Sequence, residues 1–193
     1  MQKVINGVNV TELTQTIDAV KANPTVAKFS FRLNNEWMGG GHNRSIFNGF
    51  HGAGQEQQRA SAFFVHADEP PILLGHDQAP NPAEYLLTAL AACVTTSLVY
   101  HAAARGIEIK GIESKVEGDV DVHGFLGLDE TVRKGFQNIR MTLAIHADVS
   151  DEQLEELASL GSGFSPVFDS VKNGVPVTVR TERMKTAQAA DAA

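Results

Sequence analysis

At 193 residues and 20.7 kDa the chain has room for one compact domain with a short extension, large enough to fold without disulfides or metal. Its 16 Lys and Arg against 23 Asp and Glu give a net charge of -7, which leaves no basic footprint for nucleic acid and disfavours anionic membrane surfaces. With a single cysteine, Cys93, neither an internal disulfide nor a multi-thiolate metal site can form.

The N-terminus, Met1-Gln2-Lys3-Val4-Ile5-Asn6-Gly7, carries no apolar h-region or cleavage site, so a cytoplasmic protein is expected. Val10 to Ala22 reads as an amphipathic helix through Leu13, Ile17 and Val20, stopped by Asn23-Pro24. Val26 to Leu33 alternates as a strand. Trp37 to Arg44, with Gly39-Gly40-Gly41, is expected to be a loop or a strongly bent hairpin, and Ala60 to His66 a second strand.

The clearest element begins at Asn81. This residue is an N-cap, Pro82 takes the first helical position and Glu84 completes a capping box; the helix runs to Arg105, where Gly106 supplies a left-handed cap. Its apolar stretch, Leu86 to Tyr100, is interrupted by Thr and Ser and falls short of the ~20 residues of a membrane span. Its broad apolar surface predicts a central position, covered on most sides. Ile107 to His123 and Ile139 to Ala147 read as strands. Ser150 caps a helix over Leu154, Leu157 and Leu160 that Gly161 to Gly163 should break; Ser165-Pro166 starts a short helix to Val171, and Val175 to Val179 a closing strand. The order implies an α+β domain. Residues 1–25 are an N-terminal helical extension, 26–181 the domain and 182–193 a disordered tail.

Cys93 has two readings. Free cysteine is among the most buried residue types, so it can be structural. As a nucleophile it must be a thiolate, and the helix dipole cannot stabilise that form about three turns from the N-terminus, so a cation has to come from elsewhere in the fold or from a partner chain. Glu84 lies nine residues before Cys93, half a turn out of phase, and is better explained as a cap. The seven histidines show no i, i+2 or i, i+4 pair, so no metal motif emerges and no cofactor is expected. Gly39-Gly40-Gly41 opens no helix after a strand, and Ser61, Ser97 and Ser170 lack a glycine-flanked elbow; dinucleotide and hydrolase motifs are thereby excluded.

The run Pro80-Asn81-Pro82-Ala83-Glu84-Tyr85-Leu86-Leu87-Thr88-Ala89-Leu90-Ala91-Ala92-Cys93 resembles the central helix of the OsmC-like family, which includes osmotically inducible protein C and the organic hydroperoxide resistance proteins. Tyr100 to Ile107 and Gly163-Phe164-Ser165-Pro166-Val167-Phe168 extend the resemblance, which covers about Phe29 to Arg180. It implies an α+β fold with a sheet wrapped around long central helices in an intertwined homodimer. It also implies a helix cysteine that attacks peroxide and is resolved by a second cysteine in a Cys-Pro pair. Cys93 matches the first; Ser165 stands where the second would be. The family's glutamate, two residues after the Asn of Asn-Pro, is here Ala83, so the acid is lost or shifted to Glu84. For the arginine that holds the thiolate, Arg44 is the nearest match and His42 a weaker one.

The resemblance thus implies a stress-response protein in which Cys93, assisted by Arg44, reduces hydroperoxides with an external thiol. The alternative is a non-catalytic homodimer that binds a small apolar ligand at the subunit interface. Neither nucleic acid nor membrane is an expected partner.

Overall fold

The computed structural model describes residues 3–184. A two-residue turn with positive φ at Asn6 (54°) and Gly7 (76°) joins β1 (Val4–Ile5) to β2 (Val8–Asn9), the geometry that matches the twist of a tight hairpin. Asn9 accepts hydrogen bonds from the Thr11 and Glu12 N–H groups and so caps α1 (Val10–Ala22) as expected. The strand expected from Val26 is replaced at first by a 3-10 turn, Pro24–Ala27. Pro24 presets the helical φ and Asn23 caps the turn through the Thr25 N–H, so local chemistry overrides the alternation and leaves only β3 (Ser30–Phe31) paired as a strand.

The glycine-rich segment is a bent hairpin between β4 (Asn34–Gly39) and β5 (His42–Gly52), with positive φ at Gly39 and Gly40. The next strand, β6 (Gln55–Ala67), is longer than its alternating part, Ala60 to His66. β5 is the centre of an antiparallel sheet: β6 pairs along one side, while β3 and β4 share the other. In this register Arg44 faces Glu36 on β4 and His66 on β6.

α2 (Pro82–Ala104) follows with the expected capping box: Glu84 N–H donates to Asn81 and Asn81 N–H to Glu84, both at 2.8 Å, and Gly106 has φ 76° past its end. Leu90, Val94, Leu98, Ala102 and Ala103 are its buried residues. By length and composition α2 suffices to cross a membrane, which corrects the shorter estimate from its apolar run, but its buried face forms the core of this chain. Leu98 and Ala102 pack with Leu157 of α4 (Asp151–Gly163), and Ile112, Leu143 and Ile145 close the cluster from β7 (Ile109–Asp119) and β8 (Asn138–Ala147).

Three further expectations change. The strand expected to reach His123 stops at Asp119, because Asp121 accepts from the His123 N–H and caps a single turn, α3 (Val122–Phe125). Gly161 does not break α4. A Cβ there would lie 3.1 Å from both Leu98 Cβ and the Val94 carbonyl oxygen, so the glycine permits close approach of α2 within a continuous helix. After α5 (Pro166–Asn173), residues 175–179 pair with no strand among the described residues, and their valines are exposed. Of the tail expected over 182–193, residues 185–193 lie outside the described ones.

Candidate active site at Cys93

Position on α2 sets the surroundings of Cys93. At about 100° per residue it lies beside the stripe of Leu90, Val94 and Leu98 rather than within it. Accordingly its free thiol is half-buried, whereas Val94 and Leu98 are sealed. Within a single chain the sulfur is therefore not fully sealed. Ser97 and His101 continue the row from Cys93 at successive intervals of four.

That row meets the loop between α4 and α5. Ser97 Oγ donates to the Phe164 carbonyl at 3.2 Å, and the His101 and Phe164 rings lie 4.3 Å apart between centroids. The adjacent residue is Ser165, 2% exposed, whose Oγ accepts from the Phe168 N–H at 3.1 Å and caps α5. Residues 164–165 therefore approach α2 about one turn from Cys93. Burial, and secondarily the Arg105 guanidinium, hold the His101 imidazole below its ordinary pKa.

Arg44 sits on β5 and donates to Glu36 at 2.6 Å, while its guanidinium lies 5.9 Å from the centre of the Phe64 ring. Its Nε is buried without a hydrogen-bond partner among the described residues. On the same sheet face, His42 Nε2 and His66 Nδ1 are 2.9 Å apart. The fold thus gathers Arg44 and His42, but among the described residues no hydrogen bond or ion pair joins either to Cys93. Glu84 remains a capping residue.

Two positioning residues escaped the sequence reading. Tyr85 Oη donates to the His66 carbonyl at 2.5 Å, tethering the end of β6 to the first turn of α2, eight residues or ~12 Å before Cys93. Asp68 is fully buried, and its carboxylate accepts from the backbone N–H groups of Glu69, His76 and Gln78 at 2.8, 3.1 and 3.3 Å. Burial pushes its pKa up, but these donors outweigh it and the net displacement is downward. Only the excess of Asp, Gly and Pro from Asp68 to Pro82 marked this stretch as an organised loop.

Among the described residues no three or more His, Cys, Asp or Glu converge on a metal position. A cleft of about 310 Å³ borders Asn6, Thr95, Val99 and Ile109 to Ile112. Thr95, two residues from Cys93, points about 200° away, so this cleft belongs to the other side of α2.

The sequence model of a family described as OsmC-like protein matches residues 75–180. An OsmC-like protein from Mycoplasma pneumoniae superposes with a TM-score of 0.57 at 17% identity, over 74% of this chain and 87% of the other. An OsmC-like protein of unknown function from Vibrio cholerae O1 biovar eltor gives 0.55 at 12% identity, over 74% and 94%. A protein from Psychrobacter arcticus 273-4, named for an osmotic stress induced and detoxification response, gives 0.54 at 17% identity, over 72% and 85%. No curated protein matches the chain by sequence. At these identities the structural likeness establishes a shared α+β fold.

Proposed function

This chain belongs to the OsmC-like family, and from that premise we propose that it is a stress-response thiol peroxidase whose Cys93 reduces hydroperoxides. The observation that carries this reading is the half-buried, free thiol of Cys93, beside the sealed face of α2 and next to the loop that holds Ser165. The name of the Psychrobacter relative, with its stress and detoxification response, is of the same kind.

The Cys93 thiolate attacks one peroxide oxygen; the S–O bond forms, the O–O bond breaks, and the alkoxide leaves as an alcohol after taking up a proton. The resulting sulfenic acid needs a thiol to reduce it. Ser165 cannot serve, so an external thiol displaces water to form a mixed disulfide, and a second thiol releases the Cys93 thiol with a disulfide as product. A reducing cytoplasm would supply such thiols.

The cation that the thiolate requires is assigned to Arg44, delivered by a homodimer in which one copy's sheet lies against the other's α2. Within one chain both surfaces are bare: Phe31 and Phe64 are 73% and 58% exposed on the sheet, Phe64 lying beside Arg44, and Leu86 and Tyr100 are exposed on α2. Burying such large side chains is worth roughly 1.5–3 kcal/mol each, enough to drive association.

A second reading keeps the dimer without the chemistry, as a binder of a small apolar ligand. The capping role of Ser165 favours it, since that position works here as a helix cap. Exposure to cumene hydroperoxide followed by a sulfenic-acid trap separates the two: peroxidase chemistry requires a mass adduct on Cys93, and an unlabelled Cys93 removes it.

A further inference from the structure

His42 and His66 lie far apart in sequence and belong to no metal-binding motif, yet the β5–β6 register sets them on one sheet face. His66 is directly opposite Arg44, and His42 is two residues along β5 from Arg44, so the two histidines occupy diagonal cross-strand positions. Their rings turn toward each other, with centroids 5.1 Å apart and His42 Nε2 at 2.9 Å from His66 Nδ1. In that hydrogen bond one nitrogen carries the proton and the other the lone pair. Moving the proton to the donor ring's remote nitrogen leaves two imidazole lone pairs converging on one point, with no net gain or loss of protons.

We propose that His42 and His66 form a two-histidine chelate for a divalent transition-metal ion of the zinc class, the remaining positions being filled by water. A tetrahedral zinc ion with Zn–N bonds of about 2.05 Å holds its two nitrogens about 3.3 Å apart. The pair reaches that geometry by opening about 0.4 Å and turning each ring by roughly 35°, so that both lone pairs meet at the metal. Imidazole is the ligand type this metal class favours, and a two-imidazole chelate is a bidentate site whose remaining positions stay open to water and exogenous ligands. The positive charge of Arg44 nearby opposes a cation, but its contact with Glu36 at 2.6 Å offsets that field. Tyr85 anchors the His66 backbone to α2, so the strand that carries the second ligand is fixed before metal arrives.

The test is calorimetric titration of the full chain with zinc chloride at neutral pH. One ion is expected to bind per chain in wild type and in Cys93→Ser, with tenfold or greater weakening in both His42→Gln and His66→Gln. In wild type, zinc should also shift the ring NMR signals of His42 and His66 ahead of the other five histidines; this readout stands even where a variant fails to fold. No binding by wild type, binding as tight as wild type in either histidine variant, loss of binding in Cys93→Ser alone, or early shifts confined to other histidines would each overturn the proposal.

Discussion

Ser97 Oγ donates to the Phe164 carbonyl at 3.2 Å, and with the His101–Phe164 ring contact this bond holds the loop that carries Ser165 against α2, one turn beyond Cys93. The family resemblance implies that a resolving thiol would sit at Ser165, in this loop. Ser165→Cys should therefore restore an internal partner: after one equivalent of hydroperoxide, non-reducing peptide mapping should find Cys93 joined by a disulfide to the introduced thiol. Persistence of two free thiols would place the loop beyond reach of the sulfur. The variant also gives up a helix cap, at a cost of about 1 kcal/mol.

Gly161 and Leu98 predict how α2 and α4 depend on each other. Leu98 has no exposed surface, so Leu98→Ala should lower stability by about 2–5 kcal/mol in a denaturant titration. Gly161→Val adds side-chain atoms at a position where a Cβ already meets Leu98 and Val94, and should cost about 1–3 kcal/mol by overpacking. A neutral Gly161→Val would mean that the helices are free to separate.

Asp68 predicts a pH dependence of stability. Its folded pKa is displaced downward, burial opposing and the N–H groups of Glu69, Gln78 and His76 outweighing it. Its stabilisation is therefore fully present above the unfolded carboxylate value near ~3.9, and is lost as the pH falls through the lower folded value. Asp68→Asn should melt below wild type at pH 7, and the gap should narrow at acid pH. A gap that is constant with pH would assign the effect to shape rather than charge.

The bare aromatic side of the sheet and the exposed residues of α2 predict the assembly. Light scattering should give twice 20.7 kDa for the particle in solution. Phe64→Glu, at a residue beside Arg44 that is 58% exposed in the single chain, should shift it toward the monomer. A wild-type monomer would remove the route by which Arg44 reaches Cys93.

How much of this was legible in the sequence follows from where the determining forces lie. α2 could be read in full because Asn81, Pro82, Glu84 and Gly106 all act locally. The start of β6 could not, since Gln55 to Gln58 carry no apolar alternation and extend only because β5 pairs with them. Residues 175–179 erred in the opposite direction: they alternate as a strand should, yet among the described residues no strand pairs with them. At the site, Cys93 and Ser165 were visible as residues. The Tyr85 tether, the Asp68 loop and the His42–His66 pair depend on register and long-range closure, which no local pattern encodes.

In the proposed function, Cys93 is a peroxidatic nucleophile recycled by an external thiol. Steady-state consumption of cumene hydroperoxide in the presence of excess dithiol tests it most directly, comparing wild type with Cys93→Ser. Multiple turnovers in wild type and none above background in the variant are the predicted result; equal, slow consumption by both proteins would contradict it.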